Sequence, residues 1–485
     1  MNSKTDFSEK QIRLNKYVQL LENQNKINEK KLSYPSCFMT SLYAKFTNDE
    51  LTNFSKTPKK DYNLIIDNSI FGIQNGSLAD IRNYTVGDPD HGNMPDLCEL
   101  EIDVIRTFSS LLGLSEGEVK GYITSGGTEG NFACLWWTKR YLTIKSKDEL
   151  NKLRKIVNDT KSSELDVLRA EKKIYLISRP VLICSSQTHY SVNKICEILS
   201  IDMVHVDSDK NGEIDLDKFE EAVKKHVEKS PSRNIIALGT IGTTILCGTD
   251  NLLKMSQILI TNTKTTSTNF SIHADGAFLG ILLPVLKPFG DIKNYFKELS
   301  VNTIAISGYK FLGTTICGIA LMDLTTFNTA FNEVNIIEYE RSMKDITITG
   351  VRPGIPILQL HHALYSIKLN EGTKVLSEIV KINLNNTSHC YKALVGIYRI
   401  QNVIWNKKGF NIVFPRPSKK IVDKYWLMPV LQDKVAVCIL QNVDKQLIDE
   451  FIEDLKLEVL QNEQTEKTDS DFTNAEDDLN NPTKI

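Results

Sequence analysis

Four separated groups of residues along this chain carry the functional groups that covalent chemistry needs. Lys310 follows directly on an apolar run, Thr303-Ile-Ala-Ile-Ser-Gly-Tyr-Lys310, and lies between Tyr309 and Phe311. A lysine drawn into such surroundings loses hydration, which disfavours its ammonium form and leaves a neutral amine able to attack carbonyl compounds. The plainer alternative is a lysine whose stem lies along apolar surface while its head reaches water, the commoner fate of a single lysine. Thirty-five residues earlier, Asp275 ends the apolar stretch Ser271-Ile-His-Ala-Asp275. A carboxylate there calls for a cation or a protonated ring nitrogen, unless it merely caps the turn at Gly276. His189, in Thr188-His-Tyr-Ser191, follows one apolar run and opens a helical pattern. It is placed to stack on a ring or exchange a proton, or else to sit as a satisfied capping histidine. In Gly121-Tyr-Ile-Thr-Ser-Gly-Gly-Thr-Glu-Gly-Asn131 a strand breaks at two glycines and enters a helix. Gly126 and Gly127 let a ligand approach the backbone, and the helix start offers unpaired N–H groups to an anion such as phosphate. The segment matches neither nucleotide-binding glycine motif, and the eight histidines show no zinc-site spacing.

The elements that must position these groups form an α/β pattern. Gly121–Thr124, Val181–Ser186, Ile235–Gly239, Ser271–Ala274, Thr303–Ile306 and Cys317–Met322 read as buried strands separated by helical stretches, which implies βαβ units and a largely parallel sheet. From Ile144 to Lys173 the chain is charge-dense with a partial apolar stripe, as expected of an exposed helix or helical hairpin. Beyond residue 350 a long helical segment over Leu358–Leu394 leads into a short α/β unit, with strands at Ile412–Pro415 and Val435–Leu440 and a helix over Asp444–Leu455.

Composition bounds the function. The chain has 485 residues, 41% hydrophobic, and Lys+Arg of 58 against Asp+Glu of 60, so no general basic field would hold it on nucleic acid or an anionic membrane. Nine cysteines, scattered singly and odd in number, suit a reducing compartment. The first thirty residues lack the apolar core of a secretory leader, and the most apolar run, Ala277–Leu286, is too short to span a bilayer. A cytoplasmic protein acting on a small molecule, without nucleic acid or membrane as partner, is the expectation.

In their order and spacing these groups resemble the pyridoxal-phosphate-dependent group II amino-acid decarboxylases, in particular the histidine decarboxylase and plant-type serine decarboxylase branch. The resemblance spans about residues 83–455. Beyond the segments quoted, it rests on Gly87-Asp-Pro89, Ile241-Gly-Thr-Thr244, Ser307-Gly-Tyr-Lys310, Val413-Phe-Pro-Arg-Pro417 and Gln441-Asn-Val443. It implies a fold type I, transferase-like architecture. An N-terminal arm would cover 1–60, a large cofactor domain 61–350 with the insertion at 144–173, a small C-terminal α/β domain 351–460, and an acidic tail 461–485. The cofactor implied is pyridoxal 5'-phosphate, and the assembly a homodimer with its active site at the subunit interface.

By the same resemblance Lys310 would hold the cofactor through its amine and Asp275 would pair with the pyridine nitrogen. Ser125, Gly126, Gly127 and Thr128 would bind the phosphate, and His189 and Ala277 would contact the two ring faces. Thr243, Ser307 and Tyr309 match positions near the cofactor, and Tyr309 stands where the family usually has histidine. In Ile336-Ile-Glu-Tyr-Glu-Arg341, Tyr339 is the candidate proton donor; in Gly350-Val-Arg-Pro-Gly354, where the family has a Ser-Arg-Asn-Gly run, Arg352 is retained and, with His189, is expected to bind substrate. The reaction implied is decarboxylation of a free L-amino acid, histidine or serine, to amine and carbon dioxide. Aldehyde-forming oxidative deamination on the same scaffold, or a degenerate binding protein, are the competing outcomes.

Overall fold

A computed structural model describes residues 97–115, 117–332, 345–350, 352–398, 400–431 and 433–461. Gly87–Pro89 and Tyr339 lie outside the described residues, as do the whole N-terminal arm and all but the first residue of the acidic tail.

The chemistry-bearing segments hang on a seven-stranded sheet. Its strands are β1 (Val119–Thr124), β2 (Val181–Ser185), β3 (Asp202–Val206), β4 (Ile235–Thr240), β5 (Phe270–Asp275), β6 (Val301–Ser307) and β7 (Gly318–Asp323), arranged in the order β1-β7-β6-β5-β4-β2-β3. Strands β3 to β6 pair in parallel, while β7 runs antiparallel to both β1 and β6. All six expected strands are present. The seventh, β3, lies at the sheet edge with Met203, Val204 and His205 incompletely buried, so it lacks the continuous apolar run of its neighbours.

Each central strand is buried on both sides because its alternate residues enter different apolar layers. Val181, Ile183, Ile235 and Ala237 join one layer; Leu182, Cys184, Ile236 and Leu238 join the other. The first layer is closed by helix α1 (Leu97–Leu111) and by helices following β3 and β4. Helix α2 (Gly127–Lys145) crosses the other face, and burial of Ala133, Cys134, Trp137, Thr138 and Tyr141 explains why it is apolar around much of its circumference. The charged insertion forms a helical hairpin, α3 (Lys147–Asn158) and α4 (Glu164–Ser178), held by its own cluster of Leu150, Leu153, Ala170 and Ile177.

After residue 350, helix α5 (Ile355–Ser366) and the first turns of α6 (Lys374–Tyr398) still pack into the core of the large sheet through Leu360, Leu364, Leu376 and Val380. A separate core, with Cys390, Phe414, Tyr425 and Phe451, forms around a four-stranded antiparallel sheet of strands Ile404–Trp405, Asn411–Pro415, Met428–Leu431 and Lys434–Cys438. A helix over 445–461 covers it. Among the described residues no helix is long and apolar enough to cross a membrane.

Candidate active site

The carboxyl ends of β1, β2, β4, β5 and β6 open onto one cavity of about 640 Å³, the place where open α/β sheets take their ligands. Its wall holds Ser125–Thr128 after β1, His189 after β2, Thr240 and Gly242 at the end of β4, Asp275 and Ala277 at the end of β5, and Ser307, Tyr309 and Lys310 at the end of β6. Residues that the sequence spreads over nearly two hundred positions therefore share one space.

Asp275 is 3% exposed, and parallel pairing sets it beside Thr240 of β4 and Ala305 of β6. Its Oδ2 accepts from Asn131 Nδ2 at 2.9 Å and its Oδ1 from the Ala277 N–H at 3.1 Å. Lys310 is the second residue of a single helical turn, Tyr309–Leu312, and is 8% exposed. Burial lowers its pKa, opposed by the negative charge of Asp275, so the amine loses its proton more readily than an exposed lysine would. Tyr309 lines the same wall, and burial pushes its phenol up, which keeps it a neutral donor.

His189 Nδ1 accepts from the Ser191 N–H at 3.3 Å and lies 2.7 Å from Ser191 Oγ, which puts the ring proton on Nε2. Burial holds this imidazole below its ordinary pKa; Asp275 opposes the shift and Lys310 adds to it. A flat, neutral ring results.

The site fits pyridoxal phosphate on three observations. Gly126, at φ 145°, takes a backbone conformation that side chains disfavour, and a Cβ on Gly127 would lie 2.6 Å from Ser307 Oγ and 3.2 Å from Ala277 Cβ. The glycines thus keep open a cradle at the amino end of α2, whose first N–H groups have no partner within the helix. Among the described residues, the buried hydroxyls of Ser307 and Thr240 find no hydrogen-bond partner, although both line the cavity. A carboxylate and a desolvated amine complete the donor set for a phosphate-bearing pyridine aldehyde.

Three expected contacts come out differently. Ser125 directs both its N–H (2.8 Å) and its hydroxyl (2.5 Å) to Glu129 Oε2, leaving Gly127, Thr128 and Ser307 as the better anion donors. Thr243 is buried with its hydroxyl accepting from the Gly248 N–H at 2.9 Å, so it closes a turn while Gly242 and Thr244 face the cavity. Arg352 is not among the cavity-lining residues: its guanidinium grips the Glu101 carboxylate, donates to the Ile123 carbonyl at 3.0 Å and lies over the Tyr122 ring. A substrate carboxylate would have to displace Glu101 to reach it.

Sequence reasoning also left Asn131, His273, Gln187 and Lys194 without roles. Asn131, Gln187 and Lys194 line the cavity; His273 lies behind it. A usable signal existed for His273, which stands two residues before Asp275 on a strand and so shares its face. The small C-terminal unit buttresses the site as well. Gln441 Nε2 donates to the Phe311 carbonyl at 2.8 Å, next to Lys310, and Asn411 Nδ2 donates to the Thr244 carbonyl at 2.8 Å.

The sheet, the strand ends that open onto one cavity and the buried lysine and carboxylate in its wall define a fold type I pyridoxal-phosphate enzyme. The chain belongs to the pyridoxal-dependent decarboxylase family: residues 65–348 match the pyridoxal-dependent decarboxylase conserved domain. It is similar to the histidine decarboxylase of Acinetobacter baumannii (strain AYE), with 28% identity over 405 residues, 81% of this chain and 88% of the relative. It is also similar to the histidine decarboxylase of Solanum lycopersicum, with 27% identity over 363 residues, 74% and 75% of the two chains. In fold it resembles the L-methionine decarboxylase of Streptomyces sp. 590, with a TM-score of 0.61, 18% identity, and 85% of this chain and 94% of that one covered. The activity is accordingly that of a pyridoxal-phosphate-dependent amino-acid decarboxylase.

Proposed function

We propose that this decarboxylase acts on free L-histidine, releasing histamine and carbon dioxide. The carrying observation is the burial of Lys310 and Asp275 in one cavity at the strand ends; the names of the relatives above point to the imidazole substrate over serine.

Lys310 would hold the cofactor through its amine, Asp275 would pair with its ring nitrogen, and His189 and Ala277 would contact its ring. Gly126, Gly127, Thr128, Ser307 and the Tyr309 phenol would hold its phosphate; Ser125 would take part only by releasing Glu129. Bound there, pyridoxal phosphate supplies an electron sink for the pair left on the substrate α-carbon when carbon dioxide departs. Lys310, its proton loosely held, is suited to give way to the substrate amine and to return when product leaves. Phe132, Phe278 and Ile195 give the cavity apolar wall that limits water. Tyr339 is the candidate for returning a proton to the α-carbon.

Tyr190, Ile198 and Ile316 line the cavity yet are 77%, 59% and 63% exposed in the single chain. Apolar side chains grouped at a site mouth favour a cover, and a second copy of the chain would complete the site. The substrate is tested by incubating purified enzyme with each common amino acid while amine, aldehyde, carbon dioxide and ammonia are measured. Histamine without ammonia is expected from histidine. Turnover confined to another amino acid, or aldehyde with ammonia, overturns the proposal.

A further inference from the structure

A chain of hydrogen-bonded side chains runs from the cavity into the apolar layer between β5, β6 and α2. Asn131 Nδ2 donates to Asp275 Oδ2 at 2.9 Å, while Asn131 Oδ1 lies 3.0 Å from His273 Nε2. His273 Nδ1 lies 3.0 Å from Thr303 Oγ1, which is 3.3 Å from Thr138 Oγ1. Asn131, His273, Thr303 and Asp275 are at most 3% exposed, so water does not compete for these bonds.

The direction of every bond follows from the carboxylate. An acceptor-only carboxylate requires the amide nitrogen, which turns the amide oxygen toward the imidazole and requires a proton on Nε2. Nδ1 is then an acceptor for the Thr303 hydroxyl. Reversing the Asn131 amide would set its oxygen against the Asp275 carboxylate oxygen, acceptor against acceptor. Burial drives the His273 pKa down to about 4, so at neutral pH the relay is uncharged apart from the carboxylate it ends on. An imidazolium placed directly on Asp275 would partly cancel its charge, whereas a neutral amide orients the carboxylate without doing so.

We infer that Asn131, locked by His273 and Thr303, is a positioning residue that sets the orientation of the Asp275 carboxylate toward the cofactor's ring nitrogen. This rests on the reading of Asp275 as the partner of that nitrogen. The other titratable groups acting on Asp275 or on its near neighbours are His189, His273, Lys310 and Cys134, and they are common to wild type and to the Asn131 variants.

The test strips pyridoxal phosphate from the full-length enzyme and measures its rebinding by absorbance at about pH 6 and about pH 8. Asn131→Asp keeps the oxygen that accepts from His273 but sets a carboxyl against Asp275. Its cofactor Kd should rise about tenfold or more over wild type at the higher pH, and the ratio should narrow at the lower pH as the introduced carboxyl takes a proton and donates. A Kd within about twofold of wild type at both pH values, or a loss of the same size at both, overturns the inference. Should that variant fail to fold, Asn131→Ser, too short to bridge both partners, must still show weaker rebinding; wild-type rebinding overturns the inference. Asp275→Asn is the separate control: if it keeps both wild-type rebinding and turnover, the reading of Asp275 fails whatever the Asn131 variants do.

Discussion

The character of the Lys310 amine is set by where it is buried. Burial is the largest influence on Lys310, and it acts to release the proton that an exposed lysine keeps at neutral pH. Lys310→Ala is expected to abolish turnover and the visible absorbance of bound cofactor while leaving the far-UV circular dichroism unchanged. Borohydride reduction of the wild type should fix the cofactor's mass on the peptide containing Lys310; substantial activity in the variant would sink the assignment. Asp275→Asn should reduce kcat by about a hundredfold or more, since a preorganised charge at the ring nitrogen is lost, and steady-state kinetics at saturating cofactor would show it. The Tyr309 phenol stands where the family usually has an imidazole, and burial keeps it protonated. Tyr309→Phe should weaken cofactor binding about fivefold, the worth of one hydrogen bond, with little change in melting temperature.

The turns and helix ends around the cavity depend on buried charges that the reaction does not use. Asp250 accepts from the Ile214 N–H at 2.6 Å and the Thr240 N–H at 2.7 Å, tying the end of β4 to a neighbouring loop. Burial raises its pKa from 3.8 to about 7, against the lowering effect of these donors. A raised carboxyl contributes stability that is present below 3.8 and lost as pH rises toward about 7. His273, lowered from 6.5 to about 4, acts with the opposite sign: its contribution grows as pH rises through that window. Removing the first should expose the second. In Asp250→Asn the melting temperature should therefore climb more steeply between about pH 4 and 6.5 than in wild type, and an unchanged slope in calorimetry would contradict this. The Arg352–Glu101 pair, each side chain 3% exposed, joins the segment after residue 350 to α1 and β1. Glu101→Ala should cost about 3–5 kcal/mol in denaturant unfolding because it strands a buried guanidinium.

On the scale of the whole molecule, the insertion and the small C-terminal unit have separate apolar clusters and different relations to the site. The hairpin contributes no residue to the cavity wall, whereas the C-terminal unit reaches the Phe311 carbonyl, next to Lys310, and the Thr244 carbonyl through Gln441 and Asn411. The exposed trio Tyr190, Ile198 and Ile316 carries the expectation of assembly. Sedimentation of the wild type should give twice the 54.9 kDa chain mass. Ile316→Asp should shift that equilibrium toward monomer and lower activity in parallel, because the apolar cover of the cavity mouth is lost.

The sequence by itself determined six of the seven strands, because a buried strand reads as an unbroken apolar run, and it showed that each of the four candidate groups sits at the end of such a run. It also determined the exposed helical hairpin after α2, whose charge marks it as surface. The edge strand β3 was not legible, since half-exposed positions break the pattern. The partners that orient the site were decided only by tertiary structure. Asn131 meets Asp275 across 144 residues and Arg352 meets Glu101 across 251, and no local pattern reports such a pairing. Resemblance placed Arg352 with the substrate; the fold gives it a buried carboxylate instead, because a charge removed from water binds the nearest counter-charge the packing brings to it.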